Sequence, residues 1–239
     1  KIVTTKTIQN CALLLMLQLL TLTQSVQSAP EPTGAMELAG RSNQFGSIKF
    51  AISSTAINGV DTLGYMLWSQ KKPNCTLSVN AENKSYVINP IKDSCLGIGY
   101  TTPRFTGLSK VVTKEKCELL GQKCVRYEGY TKAGGTLKPA LEFFTLQKAP
   151  VSQVGLKAWC SLFLMPSEYG FPVKITAING NYWPHTFSPI RIKPISAKVV
   201  RDDVPKDYAF VEDRAAFYFG DGRSSKSSDI SDFFRGSVK

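Results

Sequence analysis

The chain has 239 residues and a formal net charge of +11, from 29 basic and 18 acidic side chains, with a single histidine. One histidine excludes most zinc enzymes, and a hydrolase with a catalytic triad would have to use His185 although no Gly-x-Ser-x-Gly signature is present. Gly97-Ile98-Gly99 lacks the third glycine and the following helix of a phosphate-binding loop. The sequence therefore predicts no enzymatic activity, no metal and no cofactor. A glycosidase that uses two carboxylates is the remaining enzymatic alternative.

The first 28 residues have the pattern of an export signal. The apolar run from Cys11 to Leu22 is shorter than the ~20 residues that span a bilayer, and Val26 and Ser28 occupy the −3 and −1 positions of a small-residue cleavage site. We therefore expect a signal peptide at 1–28 and an extracellular or luminal protein.

The mature chain stays basic, because the signal peptide contains two lysines and its removal lowers the net charge from +11 to +9. Anionic surfaces are natural encounter partners for such a chain. The lysines are scattered and no nucleic-acid motif is present, so we expect no nucleic-acid partner and attribute the charge to steering and solubility.

Residues 29–45 are rich in Pro, Gly, Ser and Asn, which predicts a flexible leader. From 46 to about 200, short apolar runs separated by turn residues predict antiparallel sheet. The predicted strands are 48–53, 64–69, 75–79, 85–88, 123–130, 141–147, 155–165, 173–178 and 190–200. The clearest predicted hairpin has Ala133-Gly134-Gly135 at its turn.

One segment, 109–120, has a different spacing. Val111, Glu115 and Leu119 recur at helical intervals, Ser109 could cap the start and Gly121 would end the segment, so we expect one short helix there. We predict a single β domain over 46–205 and a largely disordered tail over 206–239, which is mostly polar near its end.

Five cysteines follow the predicted signal peptide: Cys75, Cys95, Cys117, Cys124 and Cys160. Cysteines of an exported domain are most often disulfide-bonded, and the absence of a Cys-x-x-Cys pair argues against zinc or redox centres. The favoured pairs are Cys75 with Cys95, and either Cys117 or Cys124 with Cys160. A Cys117–Cys124 bridge is the main rival, and the odd number leaves one cysteine unpaired or bound to another chain.

Two sequons, Asn74-Cys75-Thr76 and Asn83-Lys84-Ser85, predict N-glycosylation of Asn74 and Asn83 in an exported protein. The acidic residues of the C-terminal region do not follow the alternating spacing of an EF-hand loop, so they predict no calcium site.

The middle of the chain resembles the ependymin-related family. The resemblance rests on spacing and residue type, and its segments are Cys75, Tyr86-Val87-Ile88, Lys92-Asp93-Ser94-Cys95, Pro103, Leu120-Gly121, the strand pair 125–128 and 141–144, Trp159-Cys160 and Pro166. The segment Gly170-Phe171-Pro172-Val173 is similar to bacterial lipoprotein-carrier (LolA-like) domains. The family's further cysteines toward both ends of the domain are missing here, so its disulfide pairing does not carry over.

The resemblance implies a mainly β fold: a curved antiparallel half-barrel, or two stacked antiparallel sheets, around an apolar pocket for a lipid or other hydrophobic ligand. It also implies a secreted or lysosomal, often glycosylated and often dimeric protein, with calcium bound in some members. The large apolar residues that could line such a pocket are Met66, Trp68, Phe143, Leu162, Phe163 and Leu164, although for any one of them a place in the core is the better interpretation.

Two hypotheses for function follow. The first is a secreted, non-enzymatic protein that binds a lipid or other hydrophobic small molecule in an apolar pocket. The second is an extracellular matrix or cell-surface interaction protein without a ligand pocket, whose basic surface binds anionic glycans or lipid headgroups.

Overall fold

The structure is a computed structural model that describes residues 34–43, 45–60, 65–91, 107–178, 183, 185–212 and 214–219. The predicted signal peptide, Cys95 and most of the polar C-terminus lie outside these ranges. All described residues belong to one compact unit.

The described elements are twelve strands, two α-helices and two short 3-10 helices. The strands are β1 (Ala35–Ser42), β2 (Gly46–Ser53), β3 (Ala56–Val60), β4 (Tyr65–Ser69), β5 (Cys75–Asn80), β6 (Ser85–Pro90), β7 (Lys110–Leu119), β8 (Gln122–Ala133), β9 (Thr136–Leu146), β10 (Phe171–Ala177), β11 (Phe187–Ile195) and β12 (Ala209–Phe210). The helices are α1 (Gln153–Leu162) and α2 (Arg214–Phe219), with 3-10 turns at Ser167–Tyr169 and Ala197–Val199.

All twelve strands form one sheet in the order β12-β6-β5-β4-β3-β2-β1-β11-β10-β9-β8-β7. Every neighbouring pair is antiparallel except β12 and β6. The sheet is open, since β12 and β7 form its two edges. Helix α1 contacts both β4 and β10, although four strands lie between them in the sheet, so the sheet curves around the helix. The predicted mainly β class with a curved antiparallel sheet is confirmed.

The concave face holds the main hydrophobic core. The ring of Phe50 lies edge-on to Trp159 of α1, with centroids 4.7 Å apart, and Phe163 lies 4.8 Å from Trp159. Trp159 Nε1 donates to the Pro172 carbonyl at 2.8 Å, so its polar group is satisfied in the core. Burial of each such aromatic side chain contributes on the order of 2–3 kcal/mol, which fixes α1 against the sheet.

The opposite face of the sheet carries a smaller apolar cluster beneath the C-terminal segment. Val204 and Tyr208 pack against buried Leu67 and Leu77. Asn58 anchors this segment, because its side-chain amide exchanges two hydrogen bonds with the backbone of Arg201, at 2.7 and 2.8 Å. The C-terminal segment therefore covers part of the convex face.

The predicted hairpin at Ala133-Gly134-Gly135 is confirmed. Ala133 pairs with Thr136, and the two intervening glycines have φ of 59° and 83°. Positive φ at both central residues is the requirement of a type I′ turn, which glycine meets without strain.

Two predicted elements have the wrong type. Helix α1 occupies most of the predicted strand at 155–165: Ser152 caps it by accepting from the Gly155 N–H at 3.2 Å, and Leu156, Trp159 and Phe163 follow one helical face. The predicted helix at 109–120 is strand β7, because Leu120 and Gly121 turn the chain back onto β8.

The predicted flexible leader at 29–45 contains β1, which lies between β2 and β11 in the interior of the sheet. Leu38 and Met36 of this strand are buried in the core, so their burial holds it in place. The predicted disordered tail also contains described structure, namely β12 and α2.

Candidate functional site

An open cleft of about 410 Å³ lies between the chain that leads into β7 and the turn that follows α1. Its lining residues are Gly107, Leu108, Ser109, Lys110, Val111, Leu164, Met165, Pro166, Glu168 and Tyr169. The volume lies within the ~300–1,000 Å³ typical of small-molecule sites. It is large enough for a small hydrophobic group.

The end of α1 shapes one wall of the cleft. The Met165 N–H donates to the Cys160 carbonyl at 2.8 Å and the Leu164 N–H to the Ser161 carbonyl at 3.3 Å, which is the hydrogen-bond pattern of a Schellman cap. The left-handed position of this cap normally holds glycine, but here it is Leu164, with φ 56°. A leucine in this conformation costs about 1–2 kcal/mol. Leu164, the strained residue, is therefore also one of the residues that line the cleft.

The aromatic side of the cleft is built by Tyr169. Its ring lies edge-on to Tyr127 at 5.3 Å and to Phe143 at 6.2 Å, and those two rings stack at 5.1 Å. Phe143 is buried in the core. Contacts of this type, in a packed core, hold Tyr169 in place and make this wall rigid.

A glycine provides the space for the other wall. A Cβ on Gly129 of β8 would lie 2.8 and 2.9 Å from the two methyl carbons of Leu108. Leu108 can rest against the sheet only because no side chain stands at this position.

The mouth of the cleft is polar. Lys110 and Glu168 are exposed, as is Ser109, whereas Met165 below them is buried. The lining thus combines apolar side chains with an exposed cation and an exposed carboxylate. This arrangement suits a ligand with an apolar body and a polar or charged end.

The six predicted pocket residues do not line one pocket in the structure. Trp68, Phe143, Leu162 and Phe163 are buried in the main core and line no described cavity, and Met66 is partly buried against the same core. Only Leu164 lines the cleft.

The other lining residues were missed for local reasons. The prediction places Val111 in a helix and so gives it no sheet face, and Leu108 falls between the predicted strand at 85–88 and the predicted helix at 109–120. Met165 and Tyr169 follow a segment predicted as a strand, so the turn that aims them at β7 was not expected. Leu120-Gly121, a possible hairpin turn between two apolar stretches, was the one signal that could have revealed β7.

The described cysteines Cys75, Cys117, Cys124 and Cys160 are free thiols in the structure. Cys117 and Cys124 lie directly opposite each other across β7 and β8. Burial raises the pKa of the Cys124 thiol to about 11 and that of Cys160 to about 12. Cys160 donates to the Gly170 carbonyl at 3.8 Å. Cys95, the predicted partner of Cys75, lies outside the described residues.

Both predicted glycosylation sites lie at the ends of β5. Asn74 is exposed and its carbonyl accepts from the Ile91 N–H at 3.0 Å. Asn83 is exposed in the β5–β6 turn, and its side-chain amide donates to the Phe217 carbonyl at 2.8 Å.

His185 is buried between β10 and β11, and neither ring nitrogen has a hydrogen-bond partner among the described residues. Burial lowers its pKa to about 4, so the ring is neutral at physiological pH. It lines no described cavity.

Within the described residues, no group of three or more His, Cys, Asp or Glu side chains could hold a metal ion. None of the described helices is long and apolar enough to cross a membrane.

The chain matches no family model and no curated protein.

Proposed function

We propose that this protein is a secreted, non-enzymatic protein that binds a lipid or other hydrophobic small molecule, and that the cleft between β7 and the end of α1 is its site. The observation that carries the proposal is the presence of apolar side chains, Leu108, Val111 and Met165 among them, in the lining of a cleft whose volume suits a small ligand. The kinship to ependymin-related or LolA-like domains belongs to the same proposal. An open sheet curved around a helix supports it.

The rim indicates which ligands would fit. The Lys110 ammonium would attract an anionic head group, while the apolar lining residues would contact the adjoining hydrocarbon. The buried aromatic core leaves no described space deeper in the sheet, so the ligand would bind at the cleft rather than inside the half-barrel. A fatty acid or a lysolipid meets both requirements.

The test is binding of the fluorescent probe anilinonaphthalene sulfonate, which carries an apolar ring system and one negative charge. The variant Val111→Trp would fill the cleft, and Val112→Trp is the matched control because Val112 lies on the other face of the same strand. We expect the first variant to weaken binding at least about tenfold, a loss of about 1.4 kcal/mol, and the control to bind as the native protein does.

Native mass spectrometry of the secreted chain complements the probe. A bound mass that is lost on denaturation, and absent from Val111→Trp, would support the carrier proposal and give the ligand class. Equal probe binding by both variants, with no retained mass, would refute the cleft as the site.

A specific surface favours the second candidate function. On β1, Leu38 lies in the core, so its neighbour Ala39 lies on the opposite, outward face of the sheet. A cation pairs with Ala39 on each neighbouring strand: Lys49 on β2 and Arg191 on β11. Arg41 follows on the same outward face. The C-terminal residues Val200, Val204 and Tyr208 pack against the apolar cluster on β3, β4 and β5.

One carboxylate interrupts this basic face. Glu37 Oε1 lies 2.6 Å from Arg191 and 3.7 Å from Lys193, which leaves Arg41 and Lys49 without an ion pair among the described residues. An anionic glycan is the partner of this alternative. Retention of the protein on immobilised heparin that falls with salt, and falls further in Arg41→Ser with Lys49→Ser, would support it. Retention unchanged by salt would refute it.

A further inference from the structure

The β5–β6 turn and the C-terminal helix α2 meet at a single carbonyl group. Asn80 Nδ2 donates to the Phe217 carbonyl at 2.9 Å, and Asn83 Nδ2 donates to the same oxygen at 2.8 Å. Phe217 is 4% exposed and Asn80 is 8% exposed, whereas Asn83 is exposed, so this carbonyl lies at the edge of the buried region. These two amide groups attach α2 to the β5–β6 turn.

Asn83 is also the acceptor residue of a sequon. The Ser85 hydroxyl, the third residue of that sequon, donates to Asn83 Oδ1 at 2.5 Å. Oligosaccharide transfer from a lipid pyrophosphate donor forms a bond from Nδ2 to the sugar C1, breaks the C1–O bond to the pyrophosphate and releases one amide proton. The atom that the glycan would occupy is thus the atom that binds α2.

We propose that N-glycosylation of Asn83 and docking of α2 against the β5–β6 turn exclude each other. The glycan-bearing nitrogen keeps only one N–H, and the sugar ring bonded to it must lie next to the Phe217 carbonyl, which is 2.8 Å from that nitrogen. With the Asn83 bond disrupted, Asn80 Nδ2 is the remaining described donor to the Phe217 carbonyl, and the weaker attachment favours the undocked helix.

The order of synthesis favours glycosylation of Asn83 over docking of α2. Phe217 follows Asn83 by 134 residues, so the sequon enters the secretory lumen well before α2. A chain modified at Asn83 never docks the helix, whereas an unmodified chain does. Partial occupancy therefore produces two forms of one protein, which differ in whether Phe217 is buried.

The inference rests on the secretory route of the proposed function and is independent of the ligand. The test uses the full chain secreted from a eukaryotic host, with Asn74→Gln so that Asn83 is the single sequon. Ser85→Thr keeps the sequon, whereas Ser85→Ala removes it and retains the Asn83 amide. Hydrogen exchange of residues 214–219 reports docking, and intact mass reports glycan occupancy.

We expect α2 amides to exchange at least about tenfold faster in the glycosylated Ser85→Thr protein than in Ser85→Ala. A second comparison controls for carrying any glycan: Ser85→Ala with Asn74 retained and glycosylated should exchange as slowly as the glycan-free Ser85→Ala chain. If Ser85→Ala does not fold, the Ser85→Thr chain produced without N-glycosylation in a bacterial host replaces it, because that chain also keeps the Asn83 amide. Equal exchange in the two Ser85 variants would overturn the proposal. So would a secreted chain without a glycan at Asn83, whereas a chain that is not secreted at all would refute the proposed function.

Discussion

Acid should destabilise this protein through His185. In the folded state burial lowers the pKa of His185 from 6.5 to about 4, and no charged group contributes to that shift. In the unfolded chain the ring is solvated and titrates near 6.5. The folded form therefore excludes a proton that the unfolded form binds.

The sign follows from that difference. Above pH 6.5 the ring is neutral in both states and the full stability is present, and between 6.5 and about 4 only the unfolded chain gains a proton, so stability falls with pH. Each pKa unit corresponds to about 1.4 kcal/mol. The loss attributable to His185 is therefore about 3 kcal/mol at pH 4.

The measurement is urea denaturation at several pH values for the native chain and for His185→Phe. Neither ring nitrogen has a partner among the described residues, so the replacement breaks no described hydrogen bond. We expect the native protein to lose about 3 kcal/mol more than the variant between pH 7 and pH 4. Parallel pH profiles for the two proteins would refute the reasoning, because they would show that His185 titrates alike in both states.

Three further predictions concern the cleft and the cysteines. Leu164→Gly should change the free energy of unfolding by no more than about 1 kcal/mol, because relief of backbone strain offsets the lost contacts. The same variant should weaken probe binding. A loss of stability above about 2 kcal/mol in urea denaturation would contradict this prediction. Gly129→Ala should also weaken probe binding, since its methyl group would displace Leu108; unchanged affinity would show that Leu108 is not part of the site. In the secreted chain, Cys117 and Cys124 should form a disulfide. Directly paired residues of an antiparallel ladder have Cα atoms about 4.5–5.5 Å apart, which is within the range that a disulfide spans. A free Cys117 in peptide mapping of the unreduced protein would refute this prediction.

Local chemistry was sufficient for much of the β fold. The glycines at 134 and 135 can adopt the left-handed conformation that a two-residue hairpin needs, and apolar runs such as 48–53 and 75–79 predicted β2 and β5 to within two residues at each end. These features depend on neighbours in sequence, so the sequence of one chain reveals them.

Local chemistry failed where two periodicities overlap. Apolar residues at 111, 112 and 119 satisfy a helix as well as a strand at the sheet edge, and only pairing with β8 decides between them. The run at 155–165 is apolar enough for a buried strand, but Ser152 caps it as a helix. The leader appeared polar and irregular by composition, yet its strand is held by burial of Leu38 between β2 and β11.

The sequence by itself determined the mainly β class, the hairpin at 134–135, the single histidine and the positions of the sequons, because each is a property of residue type or of near neighbours. Only the tertiary structure decided which apolar residues are core and which line the cleft. Trp68 and Leu164 are both large and apolar, but one is enclosed beneath α1 while the other stands at the end of that helix, facing β7. That difference arises when the sheet curves around the helix, through contacts between residues far apart in sequence.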